Sequence, residues 1–223
     1  MKTIKRQSIQ NRLVHWGVAF STFGLIFSGI LQMPVSKRYM LDTLPLMGWS
    51  GDYSISLVVH YVFAFLLCFF VFFHICVHSL KKEFDIFPKK GDFKKSILVI
   101  KAMIFKTKEP PSQKYLPEQR LAYFAIGFTL LLLIISGLIK TYKNLAGLNL
   151  GEEMIFWVAQ VHNLGMFLMI FLIIFHLLAF VFKENRPLLK GMFSGKVDAS
   201  YSLNRHSLWE EGVKEAKEVL KKN

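Results

Sequence analysis

Lysine, arginine, aspartate and glutamate are all missing from four stretches of this 223-residue sequence: 13–33, 54–80, 121–139 and 154–182. A water-soluble domain of this length spreads its charges over every element, so the gaps exclude that class. The shortest run has about 19 residues, enough at 1.5 Å per residue to cross a hydrocarbon core of roughly 30 Å. Four spanning helices are therefore expected. The first run is too long for a signal peptide and lacks a small-residue cleavage site, so it reads as the first helix. Cysteine is scarce too. Cys68 and Cys76 are the only two, and eight residues apart on one helix they cannot form a disulfide. They read as small apolar residues of the second span.

Acidic residues are also few, 15 against 28 lysines and arginines, for a net charge of +13. Such an excess can signal nucleic acid, but its placement argues against that partner. The bases before the first run, those from Lys81 to Arg120 and those after the fourth run make up all but Lys37, Arg38, Lys140 and Lys143. By the positive-inside rule both termini and the long middle loop are cytoplasmic, and the short loops near 34–53 and 140–153 face outward. The basic surface would also attract anionic lipids.

An internal repeat runs through the chain. Arg12-Leu13-Val14-His15-Trp16 leads to Ser28-Gly29, and Arg120-Leu121-Ala122-Tyr123-Phe124 leads to Ser136-Gly137, with 16 residues from Arg to Ser in both. His60 and His74 are 14 residues apart, as are His162 and His176. Two related helical hairpins in parallel orientation account for both matches. Between them, Pro88, Pro110, Pro111 and Pro117 break the middle loop. Residues 93–106 mix Phe93, Ile97, Leu98, Ile100, Ile104 and Phe105 with lysines, and are expected to form a short helix on the inner membrane surface. The segment after 182 is charged. Glu210 to Lys222 is rich in helix formers, and the tail reads either as a docking element or as a solvated end.

Six of the seven histidines fall inside the spans. A lone intramembrane histidine can serve as a hydrogen bond between helices, but six together point to a site. Fourteen helical residues advance about 21 Å and rotate about 1400°, close to four full turns. His162 and His176 therefore lie on one face near opposite membrane surfaces, and so do His60 and His74. That arrangement suits two stacked haems b, one per leaflet, each held by imidazoles from two helices at equal depth. Zinc would need three or four ligands at one depth. His60 and His162 lie early in parallel helices and pair naturally in the outer leaflet. His176 belongs to the inner leaflet, where His15 and His74 both lie within reach. The residues alone leave that choice open, and the repeat favours His74.

The motif at Arg12–Trp16 with Ser28-Gly29 resembles the opening of the gamma (cytochrome b) subunit of membrane-bound formate dehydrogenases. Lys114-Tyr115-Leu116-Pro117-Glu118-Gln119-Arg120 is similar to the K-Y-N-x-G-Q-[KR] stretch before that family's third helix. Val161-His162 through Phe175-His176 resembles its fourth helix. Lys190-Gly191-Met192, Gly195-Lys196-Val197 and His206 with Trp209 resemble its tail. The resemblance implies ligands His15 and His176 for the inner haem and His60 and His162 for the outer one. It leaves His74 and His78, which share a face at the inner end of helix two, to bind a haem propionate or reach the headgroups. It also implies a quinone site, with menaquinone as the expected acceptor, at Gln119 and His176. Leu116 and Glu118 depart from the family's Asn and Gly there.

The expected molecule is thus an all-α integral membrane protein. It is a single domain, 1–223, built as a four-helix bundle around two haems, with a cytoplasmic amphipathic loop and a helical tail. The resemblance implies a bacterial inner-membrane subunit without substrate chemistry of its own. It would carry electrons from an iron–sulfur subunit and a catalytic large subunit, formate dehydrogenase in type, to quinone at the cytoplasmic face. The cytochrome b subunit of a nickel–iron hydrogenase shares the ligand layout, although such proteins open with an aromatic-acidic preamble that Lys2–Gln7 lacks. A thiosulfate or polysulfide reductase partner is a further alternative. A haem-free transporter is the alternative outside redox chemistry.

Overall fold

The structure, a computed structural model, describes residues 2–144 and 150–221. Its order is strand β1 (Thr3–Lys5), α1 (Ile9–Leu31), α2 (Pro34–Arg38), α3 (Tyr53–Lys81), α4 (Asp92–Phe105), α5 (Pro117–Tyr142), α6 (Glu152–Leu178), α7 (Arg186–Ser194), β2 (Lys196–Asp198), α8 (Ala199–Arg205) and α9 (Glu210–Lys221). Helices α1, α3 and α5, and α6 extended to Val181, are each long and apolar enough to cross a membrane. The protein is mostly helical with four membrane-spanning helices. Part of the expected outer loop at 140–153 lies outside the described residues. The chain divides into two compact units, Leu13–Lys82 and the rest.

In the first unit α1 and α3 form an antiparallel hairpin. Glycines on α1 receive aromatic rings from α3. A Cβ on Gly17 would lie 2.5 Å from the Phe70 ring, and one on Gly24 would lie 2.4 Å from Phe63. Buried positions of these helices include the hydroxyl residues Ser21, Ser28 and Ser56, while Phe65 and Phe72 are 73% and 69% exposed. Small polar residues inside and large apolar ones outside is the pattern of a helix solvated by lipid. Each hydroxyl satisfies itself on its own helix, as Ser21 Oγ does on the Gly17 carbonyl at 2.8 Å. Lys37 fastens the connector between the two helices, donating to the Gly51 carbonyl at 2.8 Å and facing Asp42 at 3.6 Å. The Asp52 carboxylate accepts from the Ser54 amide at 2.7 Å and caps α3.

In the second unit α5 and α6 form the other hairpin, with Gly165 of α6 set against Leu132 and Leu133 of α5. Helix α4 packs on α5 through a buried ion pair. Arg120 Nε and Nη2 each lie 2.7 Å from an oxygen of Asp92, and Lys89 N donates to the same carboxylate. Arg120 holds the Asp92 carboxyl below its usual range. Arg12, the repeat equivalent of Arg120, donates to the Phe193 carbonyl at the end of α7. Both arginines therefore anchor the start of a span to an extramembrane helix.

The segments near the two chain ends fold together. β1 and β2 pair antiparallel, Ile4 opposite Val197. Both side chains are buried with Ala199 and Ala216 in a small core that Tyr201, Leu203, Trp209 and Val219 surround. Gly195 closes α7 with φ +78°, and its carbonyl accepts from the amides of Arg6 and Gln7 at 2.9 and 3.1 Å. The tail is thus neither a free solvated end nor a bare docking arm. It is built against β1 and against the segment before α5.

Candidate functional site

Two histidines sit in matching surroundings, one per hairpin. His60 Nδ1 on α3 is 2.9 Å from Ser28 Oγ on α1, and His162 Nδ1 on α6 is 2.8 Å from Ser136 Oγ on α5. Each serine hydroxyl has one proton. It gives that proton to the carbonyl four residues back, Gly24 in one hairpin and Leu132 in the other, at 2.7 Å in both. The hydroxyl oxygen is then the acceptor, so each histidine donates from Nδ1–H. This assignment leaves Nε2 with its lone pair in both rings. Gly137 makes room for one of them, since a Cβ there would lie 3.3 Å from His162 Cε1.

The other intramembrane histidines are set differently. His15 follows Val14 on the first turns of α1, where its ring meets Trp16 edge-on at 5.2 Å. His74 and His78 stack obliquely on α3 with centroids 4.2 Å apart. His176 lies in the last turn of α6 with Phe180 edge-on at 5.8 Å. The 14-residue intervals on α3 and α6 fall within unbroken helix, so the facing expected from the spacing stands for each helix. No three of His, Cys, Asp and Glu gather at metal-binding distance among the described residues.

Gln119 occupies the first turn of α5. Its side-chain Oε1 accepts from the Leu116 amide at 3.1 Å, the reciprocal half of a helix-capping arrangement. The amide nitrogen of the same side chain takes no part in that cap. Beside it, both carboxyl oxygens of Glu118 are shielded from solvent and meet no hydrogen-bond partner among the described side chains. Sequence reasoning marked Ser28 and Ser136 only as signposts of the repeat. That they stand at equivalent positions in hairpins whose histidines are also equivalent was the signal that each pair meets.

Imidazoles oriented by serine hydroxyls and carried on long apolar helices are the donor type that membrane proteins use to hold haem iron. Residues 6–195 match the prokaryotic cytochrome b561 family, and the chain belongs to that family. No curated protein matches it. Membership implies haem b and an electron-transfer role in a membrane. The donor set fits haem, because the serine bonds fix the imidazole tautomer that leaves Nε2 for iron.

Proposed function

We propose that the chain is the dihaem cytochrome b anchor subunit of a respiratory oxidoreductase. It would pass electrons from an iron–sulfur partner, formate dehydrogenase in type, to quinone, with menaquinone the expected acceptor. The duplicated serine–histidine contact carries this reading, since it prepares one ligand nitrogen in each half of the repeat. In this reading His60 and His162 hold one haem and His15 and His176 the other. Haem b supplies reversible one-electron chemistry when bound. The chain's own residues fix imidazole tautomers, exclude water through the apolar spans and present a hydrogen-bond donor to quinone. That donor is the Gln119 amide, whose oxygen is already engaged by Leu116.

The molecule would lie in the bacterial inner membrane with both termini in the cytoplasm. Two observations support this. β1 and β2 join segments near the two ends of the chain, so those segments share a side. Nearly all lysines and arginines belong to that side.

A pyridine haemochrome assay on the purified chain is expected to give two haems b, and a count of one would overturn the pairing. Gln119→Leu is expected to retain both haems and their reduction by the donor while slowing reoxidation by added quinone. Reoxidation at the normal rate would place the quinone site elsewhere. The large subunit that co-purifies decides the donor. A formate dehydrogenase supports the reading, whereas a nickel–iron hydrogenase or a sulfur-compound reductase replaces it.

A further inference from the structure

Protein covers only one face of α4. Asp92, Ser96, Val99 and Met103 are buried on it, and both ends of this face are tied to the ends of spans. Asp92 is bound by Arg120 in the first turn of α5. Met103 accepts from Asn185, which also donates to the Ala179 carbonyl beyond the last turn of α6 at 2.8 Å. Helix α5 enters the membrane where the antiparallel α6 leaves it, so both ties lie at one membrane surface. The eleven-position step from Asp92 to Met103 spans about 16 Å of helix. Helix α4 therefore runs along that surface and not into the bilayer.

A second face is apolar and uncovered. Phe93, Ile97, Ile100 and Ile104 recur at i, i+4, i+7 and i+11, a stripe roughly 60° wide. They are 70%, 40%, 40% and 56% exposed. A continuous apolar stripe of this size on a basic helix at a membrane surface is what an interfacial helix presents to acyl chains. Lys94 and Lys101 lie roughly 80° further round the helix. With the stripe immersed, their ammonium groups reach the level of the headgroup phosphates. The segment is strongly basic, with Lys89, Lys90, Lys95, Lys106 and Lys108 also close by.

We propose that α4 is a side-on interfacial helix that binds anionic phospholipid, with Phe93, Ile97, Ile100 and Ile104 in the acyl region and Lys94 and Lys101 on the phosphates. The occupant is lipid of the surrounding bilayer. The charge complementarity and the tether of α4 to the ends of two spans both favour it over a protein partner. This goes beyond the redox reading and does not depend on haem or quinone.

The test uses the full chain in vesicles, with a spin label at Ile100→Cys in a Cys68→Ser, Cys76→Ser background. In vesicles containing phosphatidylglycerol the label is expected to be reached by oxygen and shielded from a water-soluble nickel chelate. In pure phosphatidylcholine that shielding should weaken. Lys94→Gln with Lys101→Gln should weaken the shielding equilibrium about 30-fold, at about 1 kcal/mol per lysine, and so raise the phosphatidylglycerol content it requires. A label open to the chelate in both lipids overturns the proposal, as does one shielded from both reagents, which would mean that protein such as a second copy covers the stripe. A lysine variant with an unchanged phosphatidylglycerol requirement also overturns it.

Discussion

Ser28 and Ser136 each give their only proton to a carbonyl of their own helix, and that local economy decides what a histidine on the neighbouring helix can do. Because the hydroxyl can then only accept, the imidazole must donate from Nδ1, and its other nitrogen is the unprotonated one. Alanine at either serine would remove that acceptor without touching the ligand atom. The ring would be free to turn or to take the other tautomer, which carries a proton on Nε2. Ser28→Ala and Ser136→Ala are each expected to weaken haem retention about 10- to 100-fold, read as haem lost per chain to a competing apo-haemoprotein. Threonine should restore retention, since it keeps a hydroxyl at the same place. Haem retention unchanged in both alanine variants would show that the contact does not orient the ligand.

The spans were legible as elements because lipid demands an uninterrupted apolar run, which a sequence displays directly. Helix α4 was legible for a similar reason, and its observed bounds, Asp92–Phe105, nearly match the expected 93–106. The β1–β2 pair was not. Three residues with one inward side chain, Ile4 or Val197, carry no periodicity, and their pairing joins positions nearly the whole chain apart. The latch between the tail and the segment before α5 was equally hidden, because its polar side chains look like any charged surface until they are buried. Arg205 binds Glu109 at 2.7 Å and the Glu184 carbonyl at 2.6 Å, and Leu208 N donates to the Ser112 carbonyl at 3.1 Å. His206 is fully buried and donates from Nδ1 to the Gln113 carbonyl at 2.7 Å. Burial, with Arg6 nearby, lowers its pKa to about 3, against about 6.5 in an unfolded chain. Between those values the undocked tail binds a proton that the docked tail does not. Docking is thus at full strength above about 6.5 and weakens as pH falls from there toward 3. Protection of the Ile4 and Val197 amides, taken relative to the intrinsic exchange rate at each pH, is expected to fall on acidification through this window. His206→Gln should flatten the dependence, whereas an equal pH response in the variant would assign it to another group.

At the scale of the whole molecule, the two hairpins agree closely at one histidine and part company at the next. His60 and His162 share a serine partner, a tautomer and a place in the repeat. Fourteen residues later the match ends. His74 lies against His78 with ring centroids 4.2 Å apart, and His176 has Phe180 at the corresponding position, 5.8 Å away and edge-on. A duplicated ligand would be expected to keep a duplicated setting, as the first pair does. The ligand set drawn from the formate dehydrogenase resemblance, in which His176 pairs with His15 and the helix-two position is no ligand, is the proposal that this difference leaves to experiment. Haem counts decide between the two schemes. His15→Ala is expected to fall from two haems b per chain to one, with His74→Ala keeping both. If His74→Ala loses a haem and His15→Ala does not, the repeat governs both ligand pairs and the resemblance fails at this residue. His60→Ala and His162→Ala should each cost one haem under either scheme, so a normal count in those two variants would undo the pairing altogether.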